Sequence, residues 1–298
     1  MVQSIDNFKP VEIGDKEIFN RFFRQDPPRV SELTFTNLFI WRHRYRPIWT
    51  RHGDFLFIIL EPHEASFFGL PPVGTGDKRK AIDLLCDELN KMTPEPRICR
   101  LSEEIVEKYV DENQYTVLPD RDNSDYVYAA SDLINLSGRK YHKKKNHLNR
   151  FSKNYAFEYR EMDVELVECF LDMQEEWCQM KECLEDPGLH SEDYAIHTAM
   201  THFEELDFKG GAIQIDSRIE AFSLGETLND DTAVIHIEKA NPDIPGLYTV
   251  INHRFCSNAF SDMMYINREQ DLGIEGLRKA KESYYPHHMV HKYTIFPK

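Results

Sequence analysis

No apolar run in this chain of 298 residues comes near the roughly 20 residues a membrane-spanning helix needs; the longest is Phe55 to Leu60. The first residues carry Asp6 and Glu12 without an apolar stretch. They do not read as a secretory signal, so the expected address is the cytoplasm, with the membrane periphery as an alternative. Cysteine is sparse and scattered: Cys86, Cys99, Cys169, Cys178, Cys183 and Cys256 form no Cys-x-x-Cys pair, and most are expected to be buried thiols rather than a disulfide scaffold. His287, His288 and His291 lack carboxylates or thiols at ligand spacing, so no metal is expected. Walker, Rossmann and nucleophile-elbow patterns are missing, and no cofactor is expected. Positive charge is also short, with 36 Lys and Arg against 51 acids and a formal net charge of -15.

Against that deficit, residues 139–153 stand out. They hold Arg139, Lys140, Lys143, Lys144, Lys145, Arg150 and Lys153 and no acid. A positive segment kept in an acidic chain belongs where an anion is held. On a helix, Tyr141, Leu148, Phe151 and Tyr155 form one stripe while Arg139, Lys143 and Arg150 lie opposite. Lys144 projects along the stripe, so it must snorkel, pair with an acid or point into a cleft. A solvated helix face is one reading, and contact with the phosphates of a tRNA or an anionic lipid head group is the other.

The hydrophobic content of 41% supports a large core, and the element order suggests two similar parts. From residue 138 onward the spacing predicts helix, strand, helix, helix, three strands, helix, strand, helix, strand. That is the order of the GNAT acyltransferase fold, and the first half follows a looser version. The expectation is therefore an α/β (α+β) protein with a tandem GNAT-like fold, two mixed sheets flanked by helices. The expected domains are 1–137 and 138–298, the second opening with the basic helix.

In the strand expected from Ala233 to Glu238, the two-residue period puts His236 and Glu238 on one face, fit for a general base and a ligand for an amino group. One wet strand face is the alternative. Glu226 ends the preceding strand and is expected to converge with Glu238 on a negative pocket. Near the end of the chain, Lys281 lies in the stripe of Ile274, Leu277 and Tyr284, with Arg278 beside it. Asn267, Arg268 and Asp271 belong to a polar run at a strand end, where ligand groups collect, although Asp271 suits a helix cap equally. The loop from Asn241 to Gly246 has one glycine and two prolines where acyl-CoA-dependent GNAT proteins keep a glycine-rich phosphate cradle. Proline removes N–H donors, which disfavours ordinary CoA binding.

These segments resemble the C-terminal domain family of phosphatidylglycerol lysyltransferases. The likeness rests on Phe35 to Arg42, the basic segment Gly138 to Phe151, Ala221 to Glu226 and His236 to Ala240. The most specific block runs from Asn267-Arg268-Glu269 through Gly276 to Lys281 and Ser283-Tyr284. Fem-type aminoacyltransferases are more distantly similar. The resemblance implies a tandem GNAT fold and transfer of an aminoacyl group from charged tRNA to a lipid head group or a small hydroxyl or amine acceptor. On that reading Arg278 and Lys281 lie near the reacting carbonyl or terminal phosphates, Glu226 and Glu238 surround the amino group, and His236 accepts a proton. Lys143, Lys144 and Arg150 meet the tRNA backbone. An acyl-CoA-dependent N-acyltransferase with an atypical phosphate loop, and a noncatalytic module for anionic ligands, are the alternatives.

Overall fold

The computed structural model describes residues 5–62 and 66–298, which divide into two units. Unit 1 comprises 1–125, 270–275 and 289–298, and unit 2 comprises 126–269 and 276–288. The units are therefore not successive in sequence. A single cut at 137/138 falls inside unit 2, because strand Asp125–Ala129 pairs in the second sheet and strand Lys292–Pro297 pairs in the first.

In unit 1, the turn residues His52-Gly53-Asp54 between two apolar strands predict a hairpin, and strands Ile48–His52 and Phe55–Leu60 form it, with His52 opposite Phe55 and Gly53 in the turn at φ 59°. Helix Lys78–Met92 starts where the Asp77 side chain accepts a hydrogen bond from the Lys80 amide, and it buries Ala81, Ile82, Leu85 and Leu89 against the sheet. Strand Lys292–Pro297 lies between Ile98–Ser102 and Tyr115–Pro119, antiparallel to both. Ser31 followed by the acidic Glu32 predicts a helix from Ser31 to about Trp41, but the helix observed is shorter, Phe35–Ile40, because Thr34 supplies the cap by accepting from the Asn37 amide.

Ser31 instead enters a buried charged cluster. Lys292 Nζ, fully buried, stands 2.6 Å from both Asp125 Oδ1 and Glu32 Oε2. Ser31 donates through its amide and hydroxyl to the two oxygens of Asp125, each at 2.9 Å. Arg100 pairs with Glu32 and Asp120. Burial, opposed by the neighbouring cations, leaves the Glu32 carboxyl above its ordinary pKa.

Unit 2 is built on a seven-stranded sheet that runs His288–Val290, Asp125–Ala129, Tyr265–Asn267, Thr232–Ala240, Arg218–Thr227, Lys209–Ile215 and, at its edge, Phe157–Glu161. Helix Leu247–Ala259 buries Leu247, Val250 and Ile251 on it, and Phe151 of helix His142–Asn154 joins the same core. Two irregularities of this sheet position its charged side chains. Thr232–Ala240 and Tyr265–Asn267 are parallel but pair only from Thr232–Tyr265 to Val234–Asn267, so beyond that point the ladder between them ends. A bulge also interrupts the next ladder: Leu224 faces Ile237 and Gly225 faces Ile235, which leaves His236 as the extra residue.

The cysteines depart in part from expectation. Cys86, Cys99 and Cys256 are buried thiols, but Cys178 and Cys183 are joined in a disulfide. The helix end between them carries Glu182 in the left-handed region (φ 52°), and this tight reversal brings the two side chains together without a Cys-x-x-Cys spacing.

Candidate functional site

Beyond the last pair of the parallel ladder, the chain places charged side chains from four elements together. Arg268, just past strand Tyr265–Asn267, donates from Nη2 to Glu238 Oε1 at 2.9 Å. Glu238 Oε2 accepts from Asn252 Nδ2 of helix Leu247–Ala259 at 2.9 Å, so the carboxylate is held from two directions. Burial works against the Arg268 charge, but Glu238 more than compensates, and the guanidinium pKa is raised. Its other terminal nitrogen, Nη1, is buried and has no hydrogen-bond partner. A buried donor without an acceptor is costly, and it marks a place where an oxygen atom is wanted.

Aromatic rings line the same place. The Arg268 guanidinium is centred 4.8 Å from the Tyr284 ring and 5.6 Å from that of Tyr128. Lys144 Nζ lies 3.5 Å from the Tyr284 ring centre, so of the three options its helical position allowed, it leans inward. It takes part in no ion pair among the described residues. Burial, helped by the positive charge of Arg268, lowers its pKa to about 8. A lysine in this state is neutral for about a tenth of the time at pH 7, far more than an ordinary lysine, and in that form can take up a proton.

Lys281 has a supporting position. It is buried and donates to the carbonyl oxygens of Arg268 and, at 3.4 Å, Glu269, while its own carbonyl accepts from Tyr128 Oη at 2.9 Å. The ammonium thus pins the turn that presents Arg268. Asn267 is buried, and its Oδ1 accepts from the Glu269 amide at 2.8 Å, tightening that turn further.

His236 is enclosed by two acids. Nδ1 lies 2.8 Å from Glu269 Oε1 and Nε2 lies 2.9 Å from Glu226 Oε1, with the ring itself 1% exposed. Burial alone would depress its pKa, but the two carboxylates overrule that and raise it to about 9. Near neutral pH it is an imidazolium donating from both nitrogens, with no lone pair for the general-base role expected of it. Glu226 and Glu238 do not converge either: they face Val234 and Ser223 respectively, at different levels of the ladder, and each has its own cation. The bulge at His236 breaks the two-residue period on which the expectation rested.

The remaining candidates lie apart. Arg278 is half-buried on helix Glu275–Glu282 and is not among the contacts of Glu238, Arg268 or Lys144. Asp271 belongs to unit 1, where it pairs with Arg121 at 3.1 Å and accepts from the Gly273 amide. Arg139, Lys143 and Arg150 are exposed along the basic helix and the turn before it. His287 and His288 approach each other at 2.9 Å between Nδ1 atoms, and no group of three or more potential metal ligands gathers among the described residues. Sequence reasoning misses Glu269, Asn252, Tyr128 and Tyr284 as site residues. Asn252 carries a signal, a carboxamide on the buried side of an apolar helix, between Val250 and Phe255.

Residues 23–296 match the protein family described as phosphatidylglycerol lysyltransferase, C-terminal. A conserved protein of unknown function from Bacteroides thetaiotaomicron is 32% identical, and the match covers 99% of this chain and 100% of that one with a TM-score of 0.93. L-PGS from Bacillus licheniformis is 15% identical over 95% of this chain and 92% of its own, with a TM-score of 0.67, a likeness of fold. An uncharacterized protein from Mycoplasmoides gallisepticum is 25% identical over 179 residues, 58% of this chain and 56% of that relative's length. The tandem GNAT-like fold expected from the element order is the fold observed. No helix among the described residues is long and apolar enough to cross a membrane.

Proposed function

Because the chain belongs to the phosphatidylglycerol lysyltransferase C-terminal family, we propose that it is an acyltransferase moving an aminoacyl group from the ester of a charged tRNA to a hydroxyl or amine acceptor, with Arg268 and Lys144 at the reacting centre. One observation carries the assignment of that centre: a buried guanidinium N–H without a partner and a half-buried lysine with its pKa near 8 both lie against the Tyr284 ring.

An ester already activated by tRNA needs positioning and charge stabilisation more than a covalent intermediate. The acceptor oxygen or nitrogen attacks the ester carbonyl, and the developing negative charge on the carbonyl oxygen accepts a hydrogen bond from Arg268 Nη1. Lys144 takes the proton that the acceptor loses. Collapse of the tetrahedral adduct breaks the bond to the tRNA oxygen, which receives the proton from Lys144. Glu238, Asn252 and Lys281 hold Arg268 in place, and the His236 clamp ties the ends of the two strands. The exposed Arg139, Lys143 and Arg150 supply sequence-independent attraction for the donor's phosphates.

A panel of charged tRNAs offered with total lipid and with small amine acceptors tests the reading. The expected result is a product formed by the wild type, with kcat/KM rising with pH through about 8, and lost in Lys144→Met and Arg268→Gln. No product from any donor, or full activity in both variants, overturns it. Calorimetry with CoA and acetyl-CoA separates the acyl-CoA alternative, which requires saturable binding despite Pro242 and Pro245 in the loop before helix Leu247–Ala259.

A further inference from the structure

The Cys178–Cys183 disulfide stands apart from the proposed reaction, and its surroundings are polar. Asp193 Oδ1 of helix Pro187–Thr201 lies 3.4 Å from Cys178 Sγ and accepts from Gln174 Nε2 at 3.1 Å. A disulfide sulfur has no hydrogen to give that carboxylate, whereas a Cys178 thiol at this distance does. Gln174 Oε1 is buried and lacks a partner in the bonded form. In the oxidised state Gln174 Nε2 serves Asp193 Oδ1 and, at 3.4 Å, Cys178 Sγ, and the S–H donor that reduction would create adds a bond to an acceptor already facing the sulfur.

The pair is also wired to the sheet. Trp177 precedes Cys178, and Lys239 Nζ rests 3.6 Å from its ring centre while pairing with Glu192 Oε2 at 2.6 Å. Glu192 neighbours Asp193, and Lys239 neighbours Glu238 on strand Thr232–Ala240. The two helices and the strand meet at one cation lying on one indole. The other buried cysteines have no such setting: burial raises the Cys86 and Cys256 thiols to about 12.

We propose that Cys178 and Cys183 form a reversible disulfide, opened by a dithiol reductant, whose state sets the packing of Trp177 and Lys239 and thereby the end of strand Thr232–Ala240. A thiolate of the reductant attacks Cys178 Sγ, the half-buried sulfur, and the bond to Cys183 breaks with Cys183 leaving as a thiolate that takes a proton. The second reductant thiolate then displaces Cys178, which is protonated beside Asp193. Two electrons pass to the pair, and the reductant ends as its own disulfide. The bridge closes a separation of only five residues, so its opening frees little chain and acts through the packing of its neighbours.

The test uses the intact folded chain in buffers of graded reduced-to-oxidised dithiothreitol. Thiols are trapped by alkylation and located by peptide mass, and amide hydrogen exchange and tryptophan fluorescence are followed in parallel. The expected result is one two-electron transition at Cys178 and Cys183, with amide protection of residues 237–240 differing between the two states and a change in indole emission that Trp177→Phe removes. Two alkylated cysteines at every ratio, a bond that survives excess reductant in the folded chain, or identical exchange in both states each overturns the proposal. The Cys178→Ser, Cys183→Ser double variant is expected to match the reduced wild type at every ratio, and a redox response in it overturns the proposal as well.

Discussion

Two buried cation–carboxylate clusters, one in each unit, end in opposite conditions. In unit 1, Lys292 and Arg100 are matched against Glu32, Asp125 and Asp120, and each charged group lies at ion-pair distance from an opposite charge. In unit 2, Arg268 spends one nitrogen on Glu238 and keeps another without a partner, while Lys144 faces an aromatic ring and its pKa is pulled down. A complete network rigidifies a fold. An incomplete one stores unmet hydrogen-bonding capacity where a ligand can meet it. Burial and charge alone do not separate the two clusters, whereas an unspent donor on a cation does: Glu32 Oε1, the atom without a hydrogen bond in the unit 1 cluster, is an acceptor that still lies 2.9 Å from Arg100 Nε.

The largest expected effect attacks the complete cluster. Lys292→Met leaves Asp125 and Glu32 buried without their shared cation and should cost about 3–5 kcal/mol of unfolding free energy in a denaturant titration. In the same titration Lys144→Met should change stability by less than about 1 kcal/mol, since it removes a charge that burial disfavours. Equal losses would erase the contrast. Next, Lys144→Met should lower kcat/KM for aminoacyl transfer by about a hundredfold while the fold persists.

A smaller effect reads the His236 clamp through pH. Its folded pKa of about 9 exceeds the unfolded value near 6.5, so its contribution is complete below pH 6.5 and lost as pH rises through 9. Between pH 6.5 and 8, unfolding free energy should fall by roughly 1–2 kcal/mol in the wild type and stay flatter in His236→Gln. The smallest effect lies on the exposed helix. Lys143→Ala and Arg150→Ala should each weaken tRNA binding severalfold and reduce the slope of log affinity against log salt by about 1. Unchanged slopes would return that face to the solvated reading.

Much of the molecule is legible in local pattern. Helical spacing alone places Lys144 along the apolar stripe, and Gly53 marks the hairpin turn. What escapes is set by partners distant in sequence or by single-residue irregularities. The bulge at His236 has no sequence signature of its own, yet it shifts the register between Glu226 and Glu238. Lys281 reads equally as a reactive cation or a pin, and only the position of two carbonyl oxygens decides between them. Ser31 suits a helix cap by residue type, but Thr34 three residues later suits it as well, and the pull of Asp125 on Ser31 lies far along the chain.

Strand Lys292–Pro297, which sits between Ile98–Ser102 and Tyr115–Pro119, also dictates a schedule. On a ribosome both flanking strands are made long before it, and every segment of unit 2 is made in the interval. The first unit begun is therefore the last that can close, and its two waiting strands present unpaired edges while the nascent chain lengthens. Pausing or truncation just before residue 292 should expose those edges to chaperones, whereas a stop after Pro297 should not.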